Sequence, residues 1–187
     1  EDFALHQQAV VRRAKNEGWH DLARSRVTGR AIEERDDGRA ALARIVERMQ
    51  HTATQVLAEY GNARIELQRL GHAAAIGAGG AIVLWARLAN TLLGGSEVAQ
   101  RGIPAERIAE QAAHALHAEL RAAITMDVHA ADQLLIYLAL AGRPAHFTAR
   151  AYSSHAQTTA WLIEQFLPVR VTAGPAGAGQ RIGVTPC

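Results

Sequence analysis

A histidine follows two serines in the C-terminal third of the chain, where a helix is predicted to begin. Ser153 and Ser154 offer a hydroxyl cap, and His155 then lies in the first turn. The first N–H groups of a helix lack carbonyl partners, so they attract anions. The same field disfavours an imidazolium, so we expect a neutral His155 able to attack a phosphorus atom. The alternative is that His155, one of nine histidines, is a structural or surface group.

A second candidate site is the pair Asp132 and Gln133, at the start of a predicted helix that is otherwise almost entirely apolar. A carboxylate and a carboxamide would be costly there if they were buried without partners. The alternative is that both residues occupy the first turn of the helix, where the helix dipole favours an aspartate. The residues alone leave these two interpretations open.

Two further patterns are weaker. His114 and His117 lie three residues apart on one helix face, a spacing that can chelate a metal, but no third ligand is evident. A glycine-rich run at residues 77–80 precedes a predicted strand instead of following one, which is the wrong context for a phosphate-binding loop. We therefore predict no metal ligand among these residues.

The elements around the two candidate sites alternate between helix and strand. Helices are predicted over residues 129–141 and 155–166, because Gly142 and Pro168 follow their last apolar residues. The remaining C-terminal predictions are strands near residues 147–151, 169–171 and 181–184, with a flexible loop over residues 173–179.

The preceding residues predict a compact α/β sandwich. Apolar residues recur at steps of three and four from Leu42 to Leu57, behind a helix-start signal at residues 36–38. The nearly continuous apolar run over residues 81–88 predicts a strand covered on both faces. The other predictions are helices over residues 3–17 and from Pro104 onward, strands over 24–33, 63–68 and 96–100, and a turn at Gly94 and Gly95. The predicted fold class is α/β (α+β), a helix layer on a mixed β-sheet.

Composition narrows the class of protein. Of the 187 residues 49% are hydrophobic and 20% are charged, as in a folded domain, and the net charge of +2 does not by itself indicate a nucleic-acid binder. Lys15 is the only lysine, and arginine suits phosphate recognition, although codon bias explains this equally well. The single cysteine, Cys187, excludes an internal disulfide and predicts a reducing, cytoplasmic location. No run suggests a membrane span, and since the chain begins without methionine we expect a piece of a longer protein.

Several blocks resemble RNA 3'-terminal phosphate cyclases. Residues 129–142, with Ala-Asp-Gln-Leu-Leu at their centre, resemble one family segment. Residues 154–159 and 163–169 are similar to the family's Ser-His-x-x-Thr-Asn and Ile-Glu-x-Phe-Leu-Pro-Val block, with Thr159 in place of the asparagine. Residues 77–85 and 101–112 are similar to further family segments, so the likeness is continuous from about residue 77 to residue 169. It weakens over residues 31–70, and none is found before about residue 19.

The resemblance implies an activity and roles for residues. Family members convert an RNA 3'-phosphate into a 2',3'-cyclic phosphate with ATP and a divalent metal, Mg2+ or Mn2+. The residue matching His155 takes up AMP, the residue matching His129 packs on the adenine, and those matching Asp132 and Gln133 line the nucleotide pocket. The implied partners are an RNA 3' end and ATP, with no membrane. The resemblance leaves open whether the protein forms a homodimer.

The resemblance also implies a domain organisation. Residues 23–122 are expected to form an inserted α/β domain, and residues 123–187 the last α/β repeat with the nucleotide-binding and adenylation motifs, while residues 1–22 are unmatched. The family's glycine-rich N-terminal part has no counterpart here, so the chain is expected to be the C-terminal portion of an enzyme. The alternative is a non-catalytic cyclase-like protein that acts in RNA processing or ribosome assembly.

Overall fold

The computed structural model of the chain describes residues 26–34, 45–61, 64–70 and 79–187. The predicted helix over residues 3–17 and the helix-start signal at residues 36–38 lie outside these ranges. The chain forms two compact units. Among the described residues, those up to 89 together with 93–118 form the N-terminal unit, and 90–92 together with 119–187 form the C-terminal unit.

The N-terminal unit is built on one four-stranded sheet. Its elements are β1 (Arg26–Glu34), α1 (Ile45–Val56), a 3-10 turn (Ala58–Tyr60), β2 (Arg64–Leu70), β3 (Gly79–Arg87), β4 (Leu92–Val98) and α2 (Ala105–Arg121). The first residue of β4 and the last three residues of α2 are assigned to the C-terminal unit. The strand order is β2-β1-β3-β4, with β1 parallel to β2 and antiparallel to β3. The predicted mixed sheet with helices packed on it is confirmed.

The two helices of this unit bury the apolar stripes that their periodicity predicts. Val46, Met49 and Ala53 of α1 are fully buried, and so are the α2 residues that recur at the same spacing, Ala109, Ala112 and Leu116. The Arg48 guanidinium of α1 makes two hydrogen bonds to the Glu106 carboxylate of α2. Burial of these stripes, rather than helix propensity, holds the helices in place.

Strand β3 differs from its prediction. Ile82, Leu84 and Ala86 are buried, but Val83 between them is 41% exposed, so only one face of the strand is fully covered. The prediction that both faces are covered was wrong, because in the described part of this unit the alternate residues have no complete layer over them. An apolar run shows that a strand is present but not how many of its faces are covered.

The predicted turn at Gly94 and Gly95 was also wrong, because both residues lie inside β4. A Cβ atom on Gly95 would stand 2.5 Å from the Ala112 carbonyl oxygen and 2.7 Å from the Leu116 nitrogen. This glycine therefore permits close approach of the strand to the backbone of α2, instead of turning the chain.

The C-terminal unit packs two helices on a three-stranded antiparallel sheet. Its elements are α3 (Val128–Leu140), β5 (Ala145–Ala149), α4 (Ser154–Phe166), β6 (Val169–Ala176) and β7 (Gly179–Pro186), with strand order β5-β7-β6. The core lies between sheet and helices and consists mainly of Ala131, Leu135, Ala139, Phe147, Ala156, Ile163, Ile182 and Val184.

The predicted loop over residues 173–179 was wrong. Strand β6 continues to Ala176, and β7 begins at Gly179, so only two residues form the turn. Gly177 has φ of +62°, which suits the left-handed conformation of a tight hairpin turn. Pro175 is tolerated because β6 is an edge strand of its sheet.

Helix α3 is apolar almost all round, yet only one stripe of it is buried. Ile136 is 45% exposed and Tyr137 is 65% exposed, whereas Leu135 is inaccessible. Helix α4 likewise leaves Trp161 and Phe166 exposed. No helix in the described ranges is both long and apolar enough to cross a membrane.

The contact at Gly95 generates a prediction about stability. Gly95→Ala should lower the free energy of unfolding by about 1–3 kcal/mol, because the added methyl group meets backbone atoms of α2 that cannot move aside. Chemical denaturation measures the change. Gly174→Ala is the matched control, since no atom lies within 4 Å of its added Cβ and its φ is not positive. Equal stability of the two variants would contradict the close packing.

Candidate functional site

The first turn of α4 carries the candidate nucleophile. Ser153 is the N-cap, and its Oγ accepts a hydrogen bond of 3.0 Å from the Ala156 N–H. The helix begins at Ser154, one residue earlier than predicted, so His155 is its second residue. The His155 side chain is exposed. An imidazole at this end of a helix stands beside N–H groups that have no carbonyl partner within the helix.

A single hydroxyl joins α4 to the second candidate residue. The Ser153 Oγ donates a hydrogen bond of 2.6 Å to the Asp132 Oδ1 while it accepts from Ala156. The acceptor is half-buried, so this charge-assisted bond is partly shielded from water. The arrangement links Asp132 to the turn that presents His155.

Asp132 and Gln133 do not lie in the first turn of their helix. Asp127 is the N-cap of α3, with its Oδ1 accepting 2.8 Å from the Ala130 N–H, so α3 starts at Val128. Asp132 and Gln133 therefore fall in the second turn, and the interpretation that the helix dipole explains them was wrong. Asp132 is instead occupied by a tertiary contact.

The other two predicted residues are on the accessible surface of α3. His129 and Gln133 are both exposed, and their spacing of four residues places them on one face. Asp132 is three residues from His129 and adjoins the same face. The structure thus brings Asp132 to the cap of α4 and puts His129 and Gln133 beside it along the helix. Their roles toward a nucleotide stay predictions.

An ion pair between a buried carboxylate and an exposed arginine, which the sequence analysis missed, lies in the same unit. The Arg150 Nε donates a hydrogen bond of 3.1 Å to the Glu119 Oε1, and the Glu119 residue is only 4% exposed. Burial raises the pKa of Glu119 above its ordinary value, and the charge of Arg150 opposes this. The second oxygen, Oε2, is buried with no hydrogen-bond partner. The available signal was Glu119's place beside Leu116 and Leu120 on the apolar stripe of α2.

Glu119 connects the segments that lead to the candidate residues. Its carboxylate interacts with the backbone N–H of Val128, the first residue of α3, as well as with Arg150, which directly follows β5. Nearby, Thr125 makes main-chain and side-chain hydrogen bonds to Thr148 of β5. These contacts fix the start of α3 against the end of β5, four residues before the cap of α4.

Metal ligands are scarce in the described residues. No three His, Cys, Asp or Glu side chains are grouped so that they could hold a metal ion there. His117, one of the weaker candidates, has its Nδ1 2.9 Å from the Tyr60 hydroxyl and 2.9 Å from a Glu59 carboxylate oxygen. That histidine is thus part of the packing of the N-terminal unit.

The shared hydroxyl predicts coupling between Ser153 and Asp132. Ser153→Ala should destabilise the protein by about 1 kcal/mol through loss of the cap. In a double-mutant cycle with Asp132→Ala, the coupling should be about 1–2 kcal/mol, because the bond has a charged acceptor. Ser154→Ala is the control, since the neighbouring residue does not supply the cap. Additive effects in the cycle would contradict the proposed link.

The raised pKa of Glu119 predicts a pH effect on stability. A carboxyl whose pKa is higher in the folded than in the unfolded chain contributes stability below its ordinary value, near 4.5, and loses it as pH rises through the folded pKa. The free energy of unfolding of Glu119→Gln, relative to the unaltered protein, should therefore increase over that pH range.

Arg150→Gln provides the matched comparison for this effect. It removes the positive charge that opposes the shift, so the loss of stability with rising pH should become larger than in the unaltered protein. Denaturation curves at a series of pH values measure both variants. A relative stability of Glu119→Gln that falls as pH rises would show that the ion pair outweighs burial.

The family model described as the insert domain of RNA 3'-terminal phosphate cyclase matches residues 25–121, about half of the chain. This match lies within residues 23–122, the range expected for an inserted domain.

Relatives extend the match into the C-terminal unit. A protein of Nitrosospira multiformis is 48% identical over 126 residues, covering 67% of this chain and 36% of its own length. Proteins of Pyrobaculum neutrophilum and Methylococcus capsulatus are 34% and 36% identical, covering 71% and 82% of this chain. All three are RNA 3'-terminal phosphate cyclases. This chain spans just over a third of their length, and it belongs to the RNA 3'-terminal phosphate cyclase family.

Proposed function

We propose that the protein to which this chain belongs converts RNA 3'-phosphates into 2',3'-cyclic phosphates through ATP-dependent adenylylation of His155. The observation that carries this proposal is an exposed imidazole, at the second position of α4, next to a cap hydroxyl bonded to Asp132. Relatives that carry the cyclase name support the substrate class.

The first step uses the imidazole as nucleophile. A ring nitrogen of His155 attacks the α-phosphorus of ATP, a nitrogen–phosphorus bond forms, and the bond to the pyrophosphate oxygen breaks. Pyrophosphate leaves with the bonding electron pair. The N–H groups at the start of α4 are suited to stabilise the charge that develops on the α-phosphate oxygens.

Asp132 acts in this proposal as a positioning residue. Its carboxylate accepts a hydrogen bond from the Ser153 hydroxyl and so fixes the position of the N-cap. The N-cap in turn fixes the direction of the first turn of α4, which presents His155. His129, three residues before Asp132, and Gln133, one residue after it, are both exposed and are proposed to contact the adenosine moiety. The imidazole of His129 offers a flat surface for the base.

The second stage returns His155 to its free form. An oxygen of the RNA 3'-phosphate attacks the phosphorus of the histidine-bound AMP, and the nitrogen–phosphorus bond breaks. The vicinal 2'-hydroxyl then attacks the RNA phosphorus, loses its proton, and expels AMP. The family resemblance implies a divalent metal for this chemistry. Because the described residues offer no group of three ligands, none of them is assigned to a metal and no step here uses one.

Covalent labelling tests the function. The intact protein incubated with α-labelled ATP and Mg2+ should acquire a label that is stable to alkali and labile to acid, as expected for a phosphoramidate. His155→Ala should abolish the label, and Asp132→Ala should reduce its rate by about tenfold or more, since misplacing a reacting group by about 1 Å has effects of that size or larger. His114→Ala is the matched control, as another exposed helical histidine.

Two results would reject the proposal. Equal labelling of His155→Ala would show that another residue is adenylylated. No label in the unaltered protein, together with RNA binding that ATP does not affect, would favour the non-catalytic RNA-binding alternative.

A further inference from the structure

The sheet of the C-terminal unit has one face that the helices do not cover. Phe147, Ile182 and Val184 point into the core between the sheet and the helices. Because side chains alternate along a strand, the residues between them point to the opposite face. The exposed side chains of that outer face are Arg170, Thr172, Arg181 and Thr185.

The charge on this outer face has one sign. Strands β5, β6 and β7 contain two arginines and no aspartate or glutamate. The acidic residues from 119 to 187 are engaged elsewhere in the unit. Glu119 pairs with Arg150, Asp127 caps α3, Asp132 accepts from Ser153, and Glu164 accepts from the Val171 N–H.

The register sets the spacing of the two cations. Arg170 is opposite Thr185, and Arg181 is opposite Gly174, so the two guanidinium-bearing positions are four residues apart along the sheet and on adjacent strands. At about 3.3 Å per residue and about 4.8 Å between strands, their Cα atoms are about 14 Å apart. At this separation, successive phosphate groups of a polymer can each reach one of the two side chains.

The row of residues between the two arginines is flat and polar. Thr172, Gly183 and His146 stand side by side on β6, β7 and β5. Gly183 has no side chain, and a Cβ atom there would stand 3.1 Å from the Thr172 hydroxyl oxygen, so this hydroxyl lies beside the bare backbone at the middle of the face. The pKa of His146 is lowered by its partial burial and by the charge of Arg181, which is consistent with a positive potential over this face.

We propose that the outer face of the β5-β7-β6 sheet, defined by Arg170, Thr172, Arg181 and His146, binds the sugar-phosphate backbone of single-stranded RNA. Two separated cations with hydrogen-bond donors between them match a polymer with a repeated negative charge. The exposed side chains contain no aliphatic or aromatic group that would insert into a lipid surface. The inference rests on the proposed function insofar as the RNA is that of the cyclisation reaction.

Binding of a fluorescent single-stranded RNA to the intact protein, followed by anisotropy over a series of salt concentrations, tests the surface. For single strands each lost phosphate contact reduces the slope of log K against log salt by about 0.7. The double variant that combines Arg170→Gln with Arg181→Gln, called the β6/β7 variant, should therefore have a slope smaller by about 1.4. If it binds as well as the unaltered protein at about 1 M salt, its affinity at about 0.1 M salt should be lower than that of the unaltered protein by a factor on the order of 25.

The control variant combines Arg101→Gln with Arg107→Gln, which removes the same charge from exposed positions in the N-terminal unit. It should change the slope by less than half as much. As a second measurement, the NMR resonances of the His146 ring should shift when RNA is added to the unaltered protein. They should not shift when RNA is added to the β6/β7 variant.

Several outcomes would overturn the assignment. These are no RNA binding by the unaltered protein, equal losses in the two double variants, or equally strong binding to anionic phospholipid vesicles. Labelling of His155 by ATP is measured without RNA, so it separates this surface from the proposed function. If labelling occurs and the β6/β7 variant binds RNA normally, the assignment of the RNA-binding surface is wrong. If labelling fails but the variant loses RNA binding, only the proposed reaction is wrong.

Discussion

One serine hydroxyl organises the candidate site. Ser153 accepts a hydrogen bond from the backbone of α4 and donates one to Asp132 of α3, so the same oxygen both starts one helix and ties it to the other. A hydroxyl can do both because it has one donor and two acceptor positions. The exposed His155 and the second turn of α3 are thereby held in a defined relation, as a reaction between bound groups requires.

The buried Glu119 carboxylate also helps to position the segments that lead to this site. It interacts with the first residue of α3 and with Arg150, which leads from β5 toward the cap of α4. A largely buried charge with one unsatisfied oxygen is costly, and burial accordingly raises its pKa. Its place at this junction is consistent with a role in positioning rather than in maximal stability.

The C-terminal unit separates two kinds of surface. The helix layer carries the polar candidate residues together with exposed apolar side chains, whereas the outer face of the sheet carries Arg170 and Arg181 without any carboxylate. A net charge of +2 for the chain conceals this distribution, because net charge does not say where the charges lie. In the proposed reaction the helix ends hold the nucleotide, and the sheet holds the RNA chain that leads to the reacting end.

The sequence by itself determined the order and type of most elements, since periodicity and capping residues are local properties of the chain. It also predicted His155 and Asp132 as candidate site residues, because each lies in a short block that is contiguous in sequence. Only the tertiary structure decided that Asp132 binds the cap of α4, that Glu119 is buried against Arg150, and that Gly95 packs on α2 instead of turning the chain. The physical reason is that each of these contacts joins residues at least 17 positions apart in the sequence, and their meeting depends on how helices and strands pack, which the pattern within one element does not encode.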